Sequence, residues 1–197
     1  QSEEQMDKRE IILEATKKII IEKGYQNITV QDIAKRAAVA KGTLYLYFKN
    51  KDDIFINLVE SFFAEAIHFI EYAKEIKGNS IEKLKTFILL DLKFYEKNHR
   101  IFKLLGTEID SIKNILNKRY RDKILKKYFD LISSIAEIIK YGIKEKKIIN
   151  MCPGKGALIL VSIIHAFAGV KVYKLDNTPL TGKTEKVLKI FLEGVGR

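Results

Sequence analysis

The sequence holds one cysteine, two prolines and no tryptophan in 197 residues. A lone thiol, Cys152, excludes an intramolecular disulfide and a cysteine metal cluster, as suits a reducing compartment. So few prolines leave long helices uninterrupted and argue against a loop-rich all-β architecture. Long apolar runs are scarce as well. The longest, Ala157–Val170, spans 14 residues and contains Ser162, His165 and Gly169, whereas a membrane span needs about 20. Residues Gln1–Gln5 show no basic-then-apolar start, so no secretion signal is read there. The expectation is a soluble, cytoplasmic protein without a membrane partner.

Apolar residues make up 47% and charged residues 31%, which suits an ordinary globular chain with a real core. Lys and Arg outnumber Asp and Glu by 36 to 25, a net charge of +11 that points to an anionic partner, nucleic acid first. The excess is uneven: residues 1–51 carry +3, 52–97 carry −3, 98–147 carry +7 and 148–197 carry +4. Charge alone therefore does not locate a DNA site.

Apolar spacing is helical almost throughout, and no stretch alternates with period two for long. Ile12, Ala15, Ile19 and Ile20 carry a first helix, stopped by Gly24. Thr29 and Asp32 form a capping-box pattern that opens a short second helix, and a third covers about Lys41 to Phe48. Asn50 caps a long fourth helix, with Asp52 and Asp53 at the positive end of its dipole. After Gly78-Asn79-Ser80, Ser80 caps a fifth, and Asn98–Leu105 reads as a separate short helix. A long amphipathic helix follows over about Ser111–Lys147. The next, about 154–173, is apolar nearly all round and should be buried on more than one side, and the last covers about 182–195. The fold class is all-α with about nine helices.

Three short helices in the first fifty residues, with a tight turn between the second and third, make a helix-turn-helix whose third helix faces the DNA major groove. Leu44 and Phe48, four apart, face inward. Lys41, Thr43, Tyr45 and Tyr47 then project outward with charge and hydroxyls for phosphates and base edges. Gly42 lets the backbone come close to DNA, Ala40 is placed to touch a thymine methyl, and Thr29 and Lys51 flank the surface.

Gly24-Tyr25, Ile28-Thr29-Val30, Asp32-Ile33-Ala34, Val39 through Phe48 and Lys49-Asn50-Lys51-Asp52 together resemble the DNA-binding segment of the TetR/AcrR transcriptional regulators. The resemblance covers about residues 9–58. It departs at the turn, where Ala38-Val39-Ala40 stands in place of the usual Gly-Val-Ser. It implies a DNA-binding domain over 1–50 and a ligand-binding and dimerisation domain over 51–197. It further implies a homodimer through the last two helices, a palindromic double-stranded operator, and an unidentified small-molecule effector that releases it. The reading is a repressor without cofactor, metal or enzymatic activity.

Aromatic stripes in the middle of the chain offer a candidate ligand cavity: Phe62, Phe63, Phe69, Phe87, Phe94, Phe102, Tyr120 and Tyr128, with His165 from the apolar helix. Plain core packing is the competing reading of these residues. The basic cluster Lys113, Lys118, Arg119, Arg121, Lys123, Lys126 and Lys127 is either a solvated helix face or a guide for an anionic ligand such as a fatty acyl thioester. Thr181-Gly182-Lys183-Thr184 ends like a phosphate-binding loop, but Asn177 stands where its first glycine belongs, so it is read as a helix-initiating loop. His68, His99, His165 and Cys152 lack metal-ligand spacing. The alternative function is a helical small-molecule carrier or enzyme. No nucleophile–base pair supports it.

Overall fold

The computed structural model describes residues 7–107, 118–173, 175–176 and 178–195, with side chains described except at 106, 107, 118–120 and 195. Among them run eight α-helices: α1 Lys8–Lys23, α2 Val30–Arg36, α3 Lys41–Tyr47, α4 Lys51–Glu75, α5 Ser80–Thr107, α6 Lys118–Lys144, α7 Pro153–Val172 and α8 Thr184–Val195. A single 3-10 turn, Leu180–Lys183, leads into α8. No strand occurs among the described residues. The all-α expectation is met.

The helix count differs at one place. Asn98 does not start a helix; its side-chain amide donates to the Phe94 carbonyl one turn back, at 2.9 Å, and α5 continues through it. The start expected near Ser111 lies outside the described residues, as do Ile112, Lys113 and Ile115.

Capping follows the sequence closely. Thr29 and Asp32 form a complete capping box on α2, and the Asn50 side chain accepts from the Asp53 amide at 2.8 Å. On α5 the cap is Asn79 rather than Ser80: Asn79 Oδ1 accepts from the Ile81 amide at 2.9 Å, and Glu82 accepts from the Asn79 amide at 2.8 Å. Ser80 is buried instead, and its hydroxyl donates to Glu145 at 2.5 Å.

Two compact units divide the chain, one within residues 1–62 and 104–124, the other within 63–103 and 125–197. In the first, α1 packs on α2 and α2 on α3. Ile12, Ile20, Ile33, Leu44, Phe48 and Phe55 are among its fully buried side chains, each worth about 1.5–3 kcal/mol of transfer free energy. In the second, Ile70, Phe87, Leu92, Ile135, Ile139, Leu160, Ile164 and Phe191 form one apolar cluster.

α7 corrects a sequence expectation. It buries one face (Ala157, Leu160, Val161, Ile164, Ala168) and leaves Leu158, Ile159, Ser162, His165 and Ala166 exposed. It is also longer than the unbroken apolar run in the sequence. At 20 residues it matches a membrane span by length and composition, although its buried face walls the second unit's core.

Candidate nucleic-acid interface

α3 is held from inside and open outside. Leu44 and Phe48 are buried, while Tyr45 and Tyr47 remain 46% and 39% exposed. Lys41 and Gly42 are exposed, Thr43 is half-buried, and Ala40 stands exposed at the N-cap with no side-chain bond. The Lys41 ammonium lies 5.9 Å from the Tyr45 ring centre, a spacing at which cation and π face attract. One residue of this surface escaped the sequence reading. Leu46 is 83% exposed, more than any other large apolar residue described.

The turn before α3 needs a left-handed residue, and Ala38 supplies it at φ 53°. The Val39 amide closes the turn on the Ala34 carbonyl at 3.0 Å. Thr29 is exposed, but its hydroxyl is engaged: it donates to Asp32 at 2.7 Å and accepts from the Asp32 amide at 3.2 Å. The Thr29 hydroxyl and the Thr29 amide, which donates at 2.9 Å, together hold the Asp32 carboxyl below its usual range.

The first two turns of α4 clamp the helix-turn-helix. Lys51 Nζ donates to the carbonyls of Tyr25 at 3.2 Å and Ile28 at 3.1 Å, and sits 4.5 Å from the Tyr25 ring centre. Tyr25 donates in turn to Asp52. Arg9 donates to Asn57 at 2.7 Å, its guanidinium over the Phe48 ring. The Lys51 ammonium, on a residue read from the sequence as flanking the DNA surface, thus ties the α1–α2 loop to α4. No local sequence signal marks that role, since its partners are backbone carbonyls more than twenty residues away.

In the second unit the aromatic candidates separate. Phe69, Phe94 and Phe102 interlock edge to face, with 5.9 Å between the centres of Phe69 and Phe94 and of Phe94 and Phe102. Tyr95, not singled out beforehand, joins them at 4.5 Å from Phe102 and 5.6 Å from His165. Tyr95, Phe102, His165, Gly169, Val172 and Tyr173 line an open surface depression of about 220 Å³. Phe63 meets Tyr128 edge-on at 6.4 Å. Phe87 is sealed in the core, Phe62 belongs to the first unit, and the Tyr120 side chain lies outside the described residues. One turn before Tyr95, Asp91 is buried, which pushes its carboxyl up to about 7.

This arrangement matches known proteins. The model of the bacterial regulatory proteins, tetR family, matches residues 12–58, from within α1 into α4. The fatty acid metabolism regulator protein of Bacillus subtilis is 34% identical over 125 residues, so that match takes in 63% of this chain and just under two thirds of that protein, 63%. Two solved structures extend the likeness over nearly all of the chain. FadR from Bacillus halodurans superposes with TM-score 0.80 at 25% identity, covering 98% of both chains. FadR from Bacillus subtilis in complex with stearoyl-CoA gives 0.79 at 27%, covering 94% of this chain and 98% of that one. The chain belongs to the TetR family.

TetR-family proteins are DNA-binding transcriptional regulators, and α2 and α3 are the helix-turn-helix of this member. Its left-handed turn residue, Ala38, occupies the position where the motif usually has glycine. An alanine there carries about 1 kcal/mol of backbone strain. The turn keeps its geometry because the Ala37, Ala38 and Val39 amides all find carbonyls in α2.

Proposed function

We propose that the chain is a homodimeric transcriptional repressor that holds a palindromic operator with α3 of each protomer and is released by a long-chain acyl thioester. The observation that carries this reading is α3 itself: buried at Leu44 and Phe48, open at Lys41, Gly42, Tyr45 and Tyr47. Thr43 sits beside the open residues as a base-edge hydroxyl, and Ala40 and Thr29 border them. Residues 1–50 read DNA, and 51–197 bind ligand and partner. The protein works in the cytoplasm, by binding and not by turnover.

Dimerisation is supported by the apolar residues left open on α7, Leu158 and Ile159, and on α8, Ile190. Two recognition helices enter one groove face only when they stand about 34–36 Å apart, or a multiple of that. An effector that favours another spacing lowers operator affinity by linkage.

The acyl ligand is supported by the stearoyl-CoA held in the Bacillus subtilis FadR structure. The aromatic cluster of Phe69, Phe94, Tyr95 and Phe102, with His165 beside it, offers apolar lining of the right kind. Lys126, exposed on α6 within the second unit, provides positive charge for the nucleotide end. The test is fluorescence anisotropy of a labelled operator titrated with stearoyl-CoA, with free CoA as control. Release by stearoyl-CoA alone is expected. Retention of the operator at saturating stearoyl-CoA would remove acyl thioesters from the proposal.

A further inference from the structure

α3 presents a large aliphatic side chain on its outward face. At 100° per residue, Leu46 lies 200° around the helix from the inward Leu44, and Gly42 lies at 160°. The middle of the outward face is therefore Leu46 and Gly42, with Thr43, Tyr45 and Tyr47 on its flanks. Leu46 is 83% exposed, and a Cβ placed on Gly42 would meet nothing within 4 Å. The surface around them is polar and basic: Lys41 and Lys49 are exposed on either side, and Lys35 is exposed on α2.

A leucine gains nothing from a phosphate and forms no hydrogen bond with a base. In the major groove the one apolar group on a base edge is the thymine C5 methyl. A docking patch for another protein would be a contiguous apolar surface, whereas Leu46 stands among hydroxyls and ammonium groups. Gly42, one turn earlier on the same face, leaves the helix flat enough to come close to the bases.

We propose that Leu46 is a specificity-determining residue that reads a thymine methyl group in each operator half-site. The proposal rests on the DNA-binding reading above. Thr43 and the tyrosine hydroxyls read hydrogen-bonding edges; Leu46 separates thymine from cytosine, which presents hydrogen at C5.

The test uses the operator that the parent protein selects from random duplex DNA. Each thymine is replaced in turn, in both half-sites, by deoxyuridine, which removes only the C5 methyl. Parent affinity should fall at one symmetric thymine pair by about fourfold per half-site, or roughly fifteenfold in all, the discrimination of one buried methyl group. Leu46→Ala should bind the two DNAs alike at that pair, with its circular dichroism unchanged, while Thr43→Ala keeps the parent's preference for thymine there. Indifference of the parent to every replacement would overturn the role of Leu46, as would an unchanged thymine preference in Leu46→Ala. Failure to select any sequence would overturn the DNA-binding reading and this proposal together. A selected operator indifferent to methyl removal overturns this proposal alone.

Discussion

Lys123 on α6 holds the buried Glu60 of α4: its ammonium is 2.5 Å from Glu60 Oε2, while Oε1 is buried without a hydrogen bond among the described residues. Glu60 is 8% exposed, and the Lys123 side chain is half-exposed. The two residues stand 63 apart in sequence and join α4 to α6 within the first unit. A carboxylate held by one partner is vulnerable, because removing that partner strands a charge away from water.

Lys123→Met should therefore destabilise the protein by about 2–3 kcal/mol, less than for a fully buried pair because the ammonium is partly in water. Adding Glu60→Gln should recover most of that loss. Urea denaturation checks both. A single variant within about 0.5 kcal/mol of the parent would contradict the argument.

Ala38→Gly should stabilise the protein by about 1 kcal/mol, since glycine adopts a positive φ without the Cβ clash. Operator affinity should be unchanged. Thermal unfolding at one pH measures it, and a fall in melting temperature would show that the turn carries no strain.

Asp91 predicts a pH dependence. Its folded pKa is raised by burial to about 7 from an ordinary 3.8, so the native state holds this proton more tightly than the unfolded chain. The stabilisation is complete below about pH 4, falls as pH rises and is lost above about 7. Asp91→Asn should flatten that slope and exceed the parent at pH 8 by about 1–3 kcal/mol. Parallel stability curves for the two proteins would contradict it.

The position of Lys51 changes what its removal should do. A lysine on phosphate would give a shallower salt dependence when lost. Bound to the Tyr25 and Ile28 carbonyls, it acts by placing the α1–α2 loop. Lys51→Met should weaken binding to all DNA sequences and leave the salt slope unchanged, whereas Thr43→Ala should alter base preference. A slope reduced by about one unit in Lys51→Met would return the ammonium to the phosphate.

What the sequence made legible was local. Leu44 and Phe48 announce their burial by a four-residue spacing, Thr29 and Asp32 their cap by a three-residue one, and Gly24 the end of α1. The hidden features depend on distant partners. Nothing near Lys51, Glu60 or Lys123 in sequence indicates whom they meet. Leu46 was passed over because an apolar residue in a helix is first counted as core, and only the packing of Leu44 and Phe48 shows that it faces out. α7 misled for the opposite reason: a helix apolar all round carries no sign of which face stays open.

The most direct test of the central claim is selection of binding sites from random duplex DNA by the purified protein at a fixed moderate salt. The account predicts enrichment of one palindrome whose half-sites are a helical turn, or a multiple, apart. Retention that is weak, salt-sensitive and without an enriched sequence would contradict it, leaving a basic helical protein that does not read DNA.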